Sequence, residues 1–159
     1  MENQYKKRGL YYEDFELGQS MVTQGRTVTE ADIVNFCGFT GDWSELHTNA
    51  EYAKTIPFKQ RIAHGMLTMS MATGLAVLTG MIEGTILAFE GIEKWEFVRP
   101  VFIGDTVHVE LTPIAKEIRP LRGGIRAGRV SIEAKVKKQN GKVCQKGIWN
   151  MLILCRNES

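Results

Sequence analysis

The stretch from His64 to Gly80, H-G-M-L-T-M-S-M-A-T-G-L-A-V-L-T-G, carries no charged residue, and the next one is Glu83. Apolar side chains would occupy every face of a helix built from it, so such a helix must be surrounded rather than merely docked. A membrane span is the first alternative, because about 18 residues suffice to cross a bilayer. Against it stand Thr68, Ser70, Thr73, Thr79 and the glycines, and no other segment of the chain is comparable. The expectation is a core helix wrapped by a sheet, with no membrane partner.

A chain of 159 residues suits one domain, 1–159, and allows a full hydrophobic core. The net charge is +2 with both signs dispersed, which points away from nucleic acid and from membrane surfaces. Cys37, Cys144 and Cys155 share no metal-like spacing and sit among apolar neighbours, as buried free thiols of a reducing compartment do. The opening M-E-N-Q-Y-K-K-R is polar and basic with no apolar run behind it, which does not read as a signal peptide. Residues 1–10 therefore read as a flexible tail, and the expected location is the cytoplasm.

Along the chain, 11–19 mixes aromatic anchors with acids and reads as a packed lead-in, followed by a short strand over 21–28. Thr29 with Glu30 and Asp32 predicts an N-cap and an acidic first turn, opening a helix through about Phe39. Ile33, Val34, Phe36 and Cys37 would form its buried side. Gly41 supplies a turn, Thr48 or Asn49 caps a short helix through Ala53, and Pro57 ends that piece.

After Gly84 the period changes. Charges and aromatics alternate over 94–97, and apolar residues alternate with polar ones over 106–112 and 130–137. Asn140-Gly141 signals a two-residue hairpin, and the apolar run Ile148–Cys155 a central strand. One all-round apolar helix and a single antiparallel sheet leave one arrangement, a sheet curled around the helix. That is an α+β hotdog domain. Its open edges and incomplete wrap predict at least a homodimer.

Asp42 and His47 are the first chemical candidates. Five positions apart on a helix they would point about 140° away from each other. The Gly41 break and the loop through Ser44 and Glu45 can bring both to one site, where a carboxylate and an imidazole share a water. The plainer alternative has Asp42 capping a turn and His47 preceding the next helix. At the start of the apolar helix, His64-Gly65 presents unpaired N–H groups and the positive end of the dipole. Gly65 lets a carbonyl oxygen approach the backbone closely, or else simply permits tight packing.

T-G-D-W-S-E-L-H-T-N-A-E-Y-A (40–53), A-H-G-M-L (63–67), Y-Y-E-D-F-E-L-G (11–18) and R-P-V-F-I-G-D-T-V (99–107) together resemble the MaoC-like (R)-specific enoyl-CoA hydratase family. The resemblance covers nearly the whole chain. It implies a hotdog fold and reversible addition of water to a trans-2-enoyl thioester. Asp42 and His47 would activate the water and the Gly65 N–H would polarise the thioester carbonyl. Thr73, eight residues past that glycine, would line the site. His64, beside Gly65, either lines the site or holds the helix start in place. The implied partner is an acyl-CoA thioester, and coenzyme A arrives as part of the substrate, so no separate cofactor is expected. Ser44 and Glu45 stand where Asn and Pro are usual, in the loop that sets the Asp42–His47 geometry.

Arg119, Arg122 and Arg126 flank Gly123-Gly124 and suit coenzyme A phosphates, or form a solvated loop. His108 alternates with apolar residues and is expected to face solvent. No metal is expected, since Asp42 and His47 offer two ligands with no obvious third. A hotdog acyl-CoA thioesterase is the rival activity, disfavoured because residues 65–82 hold no carboxylate. A non-catalytic acyl-CoA-binding protein is the other rival. No segment is spare for a helix-turn-helix.

Overall fold

The computed structural model describes residues 8–119 and 121–156. In chain order the elements are β1 (Met21–Val22), β2 (Arg26–Thr27), α1 (Glu30–Thr40), α2 (Glu45–Thr48), α3 (Ala50–Thr55), α4 (Gly65–Leu78), β3 (Ile86–Phe97), β4 (Thr106–Ile118), β5 (Ala127–Lys138) and β6 (Val143–Leu154). All strands join one antiparallel sheet in the order β1-β4-β5-β6-β3, with β2 also on β4.

Local chemistry explains the short helices. The Thr29 hydroxyl accepts from the Asp32 N–H, and the Asp32 carboxylate accepts from the Thr29 N–H at 2.8 Å, a reciprocal box that satisfies two end donors. Gly41, at φ 77°, closes α1 by donating its N–H to the Cys37 carbonyl at 2.8 Å. Of the two candidate caps, Asn49 does the work. Its Oδ1 accepts from the N–H groups of Glu51 and Tyr52, both at 3.0 Å. Thr48 instead donates to the carbonyls of Trp43 and Ser44, tying the loop across itself.

Ile33 and Cys37 are buried, but Val34, expected among them, is 47% exposed. It lies about 100° around the helix from Ile33, off the covered side. Residues 8–10, expected as part of a loose tail, are tied down: Gly9 N–H donates to Glu83 O and Leu10 N–H to Met81 O. The rest of that tail, 1–7, lies outside the described residues.

Helix α4 departs from the expected full enclosure. Leu67, Thr68, Met71, Ala72, Leu75 and Ala76 are buried, whereas Met66, Ser70, Gly74, Val77 and Leu78 form an open stripe. One sheet covers only the side that faces it. No helix among the described residues is long and apolar enough to cross a membrane.

Strand β6 is central, between β5 and β3, and its Trp149 is fully buried with the Trp95 ring stacked 5.8 Å away. The Asn140-Gly141 turn is longer than predicted. Lys138 N–H donates to Lys142 O, Gly141 N–H donates to Lys138 O, and residues 139–142 lie between the strands. Gly141 has φ 76° while Asn140 keeps a negative φ, so the two-residue type that needs both positive is not formed.

A second Gly-Asp turn secures the scaffold beneath α4. Gly104 has φ 92°, and the Asp105 carboxylate accepts from Phe102 N–H and Gln139 Nε2 at 2.9 Å each and pairs with Lys138 Nζ at 2.6 Å. That fixes the segment against which the approach to α4 is laid. Ala63 N–H donates to Val101 O at 2.8 Å, and Ile62 bridges Phe102. Burial pushes the Asp105 carboxyl up, but the bonds from Lys138, Phe102 and Gln139 outweigh it and hold the group below the usual carboxylate range.

Candidate active site

The Gly41 cap ends α1 and turns the chain back, and the next residue, Asp42, keeps its side chain half exposed at 51%. Among the described residues its carboxylate accepts only the Ser44 N–H, at 3.2 Å, so most of its acceptor capacity is unused. Helix α2 then brings His47 inward to 8% exposure. His47 Nδ1 lies 2.8 Å from the Ile62 carbonyl, which can only accept, so in the neutral ring the proton sits on Nδ1 and the lone pair on Nε2.

His64, the residue before α4, completes the cluster. Its ring stacks on His47 with centroids 3.7 Å apart at 29°, and Phe36 tilts onto it from α1 at 4.9 Å. His64 Nε2 donates to the Asp42 backbone carbonyl at 3.1 Å and lies 3.9 Å from the Asp42 carboxylate and 3.6 Å from Cys37 Sγ. One donor atom each from Asp42, His47 and His64 falls within 4.8 Å of the other two. Burial lowers the His64 proton affinity and the His47 charge adds to that. The Asp42 carbonyl and carboxylate oppose both, and the net shift is downward.

A third donor beside Asp42 and His47 therefore exists, contrary to the expectation from spacing. In this structure its Nε2 is already engaged by the Asp42 carbonyl, and its ring by the stack on His47. His64 is also 2% exposed and sits behind the pair, in keeping with a structural place at the helix start rather than on the substrate surface.

Gly65 opens α4, and its N–H has no partner among the described residues. A Cβ there would come within 2.6 Å of the Phe97 ring, and its carbonyl accepts from Gln145 Nε2 at 2.9 Å. The missing side chain thus has a packing cause. The free N–H at the helix start is available in addition. A cavity of about 270 Å³ lies beside it, lined by Phe58, Thr68, Phe97, Arg99 and Gln145 among others.

Two other groups lie apart from the cluster within one chain. Thr73 lies two turns along α4 and donates its hydroxyl to the Ser70 carbonyl at 2.8 Å, away from the cluster. Arg119, Arg122 and Arg126 sit at the opposite end of the sheet. Ile118 pairs with Gly128 there, while Phe97 pairs with Gln145 at the Gly65 end. Arg119 is engaged by Glu117 at 2.8 Å. His108 is half-buried on β4, opposite Lys137. The Glu45 carboxylate turns to the Asn49 amide at 2.8 Å. What the sequence did not reveal is the Ile62 carbonyl and the stacking of the His64 ring beneath His47. A backbone acceptor leaves no trace in residue type, but the His64-Gly65 adjacency was a usable signal for the second.

Residues 14–137 match the family model described as the MaoC like domain. The chain is 38% identical over 112 residues to protein MaoC of Klebsiella aerogenes, a match covering 70% of this chain and 33% of that one. It therefore spans about a third of that relative. It is 39% identical over 102 residues to an (R)-specific enoyl-CoA hydratase of Rhodospirillum rubrum, covering 64% of this chain and 68% of that one. Among solved structures, a monoamine oxidase regulatory protein from Archaeoglobus superposes with a TM-score of 0.83 at 34% identity, over 94% of this chain and 97% of that one. A Mycobacterium tuberculosis protein with a double hotdog fold gives a TM-score of 0.83 at 16% identity, over 95% of this chain and 46% of that one, and carries the fold alone. The fold here is a hotdog.

Proposed function

Because the chain belongs to the MaoC-like dehydratase family, we propose that it is a hydro-lyase, an (R)-specific enoyl-CoA hydratase or 3-hydroxyacyl-CoA dehydratase. The observation that carries the reading is the pairing of an under-used Asp42 carboxylate with a His47 whose Nδ1 is committed to Ile62, leaving Nε2 free. A water held between them loses a proton to His47 Nε2 while Asp42 accepts its other hydrogen. Its oxygen bonds to C3 of the enoyl thioester, and the C2=C3 π electrons move to the thioester oxygen. The Gly65 N–H and the positive end of α4 stabilise that charge, which is greatest in the transition state. Return of the proton to C2 completes the addition of one water. Approach from one face makes the product a single enantiomer.

The substrate is an acyl-CoA thioester, and no further cofactor is needed. The open stripe on α4 and the exposed Leu87, Phe89 and Phe97 of the edge strand β3 support a homodimer or higher homo-oligomer. The three buried free thiols fit a cytoplasmic location. The thioesterase alternative lacks support at α4, which carries no acid between Gly65 and Leu78.

The test is a spectrophotometric assay with crotonyl-CoA and longer enoyl-CoAs. Loss of enoyl absorbance without free thiol, lost in His47→Ala by about 10²–10⁴-fold, is the expected result. Release of thiol with the enoyl group intact would make the protein a thioesterase instead.

A further inference from the structure

We propose that His64 is a positioning residue, its imidazole holding the Asp42 turn and the His47 ring in the single arrangement from which both reach the same water. The inference rests on the hydratase reading above and assigns His64 no contact with substrate.

One buried ring ties together every element of the site. It receives Phe36 and Cys37 from α1, donates to the Asp42 carbonyl in the turn, stacks on His47 of α2, and begins α4 through its own backbone. The two contacts that matter are of different kinds. The Nε2–H bond at 3.1 Å fixes the Asp42 backbone, and hence where its carboxylate emerges. The ring face, 3.7 Å from His47, sets the plane of the base and therefore the line along which Nε2 accepts a proton. The Ile62 carbonyl fixes the His47 tautomer but leaves rotation about that bond, and the stack removes it.

Simple space-filling does not account for this residue. His64 Nδ1 is buried with no hydrogen-bond partner among the described residues, an unfavourable state that a phenyl ring of similar shape would avoid. A hydrogen-bond donor and an aromatic face in one side chain justify keeping the unpaired nitrogen. The titratable groups facing the ring are Cys37, Asp42 and His47, and burial lowers its proton affinity.

Two variants separate the roles. His64→Phe keeps a ring and deletes the donor, whereas His64→Gln supplies a donor near the Nε2 position. Both are compared with the unaltered protein in crotonyl-CoA hydration, in thermal melting, and by the nitrogen NMR shifts of His47. The expected result for His64→Phe is a fall in kcat of about 10²-fold, with KM within about threefold and the His47 nitrogen shifts little changed, because the ring face and the Ile62 bond remain. His64→Gln should regain about tenfold of that loss through its donor to the Asp42 carbonyl, while moving the His47 nitrogen shifts because the ring face is gone. Unchanged kcat in His64→Phe would overturn the proposal. So would equal losses in both variants that merely follow their melting temperatures. If the unaltered protein hydrates no enoyl-CoA, the hydratase reading falls, and the His47 nitrogen shifts, moved in His64→Gln and unmoved in His64→Phe, still decide whether His64 positions that ring.

Discussion

The molecule contains two Gly-Asp turns, and they leave their carboxylates in opposite states. Gly41 and Gly104 both adopt positive φ and both precede an aspartate. Asp105 is 8% exposed, with its oxygens taken by Phe102 N–H, Gln139 and Lys138. Asp42 is half exposed and accepts one long bond from Ser44 N–H. A carboxylate saturated by fixed donors is spent on holding a turn, and one left with free lone pairs can bind a water. The two are also linked. Asp105 fixes 101–102, which pairs with 62–63, and the Ile62 carbonyl orients His47. The structural turn supports the base that the other turn is proposed to work with.

The sharpest way to break this comparison is to neutralise the saturated member. Asp105→Asn should cost about 3 kcal/mol, because Lys138, its side chain only 12% exposed, is left without its counter-charge. For a chain of this size that is a fall in Tm of about 6–12 °C, read by calorimetry. A change under about 1 kcal/mol would mean that Asp105 is no better satisfied than Asp42.

Acid should separate the two regions next. His64 is held below its ordinary value by burial, so its contribution is complete above about pH 6.5 and is lost as pH falls from there toward its folded value. Asp105 is also held low, so its contribution is present above about pH 3.9 and is lost as pH falls through its folded value. Urea midpoints should therefore decline in two stages below neutrality. His64→Gln should flatten the upper stage and Asp105→Asn the lower one. A single decline unaffected by either variant would contradict the assignment.

The smallest effect belongs to the open turn. Asp42→Asn should change stability by no more than about 0.5 kcal/mol, since it removes one weak bond at a half-exposed position.

The two turns look alike in sequence, and that marks the limit of what was legible. Features fixed within a few residues were readable: the Thr29–Asp32 box, the Gly41 stop, the alternation over 106–112 and the Asp42–His47 candidates. The family motifs carried the fold. Features that depend on distant chain were not. The apolar faces of α4 gave no sign of which would be left open, because residue type records the need for cover and not the body that supplies it. Val34 failed for the same reason. Asn140-Gly141 signalled a turn correctly, but its type depended on where the flanking strands stopped pairing. The Arg119–Arg126 group and Thr73 entered through local chemistry and resemblance, and sheet geometry puts the arginines at the far end of the same chain.

The central claim is that Asp42 serves the reaction and not the fold. Its most direct measurement is crotonyl-CoA hydration by Asp42→Asn, with the melting temperature taken on the same sample. The account predicts a loss of about 10²–10⁴-fold in kcat with Tm within about 2 °C of the unaltered protein. Full activity, or a loss accompanied by a collapse in Tm, would contradict it.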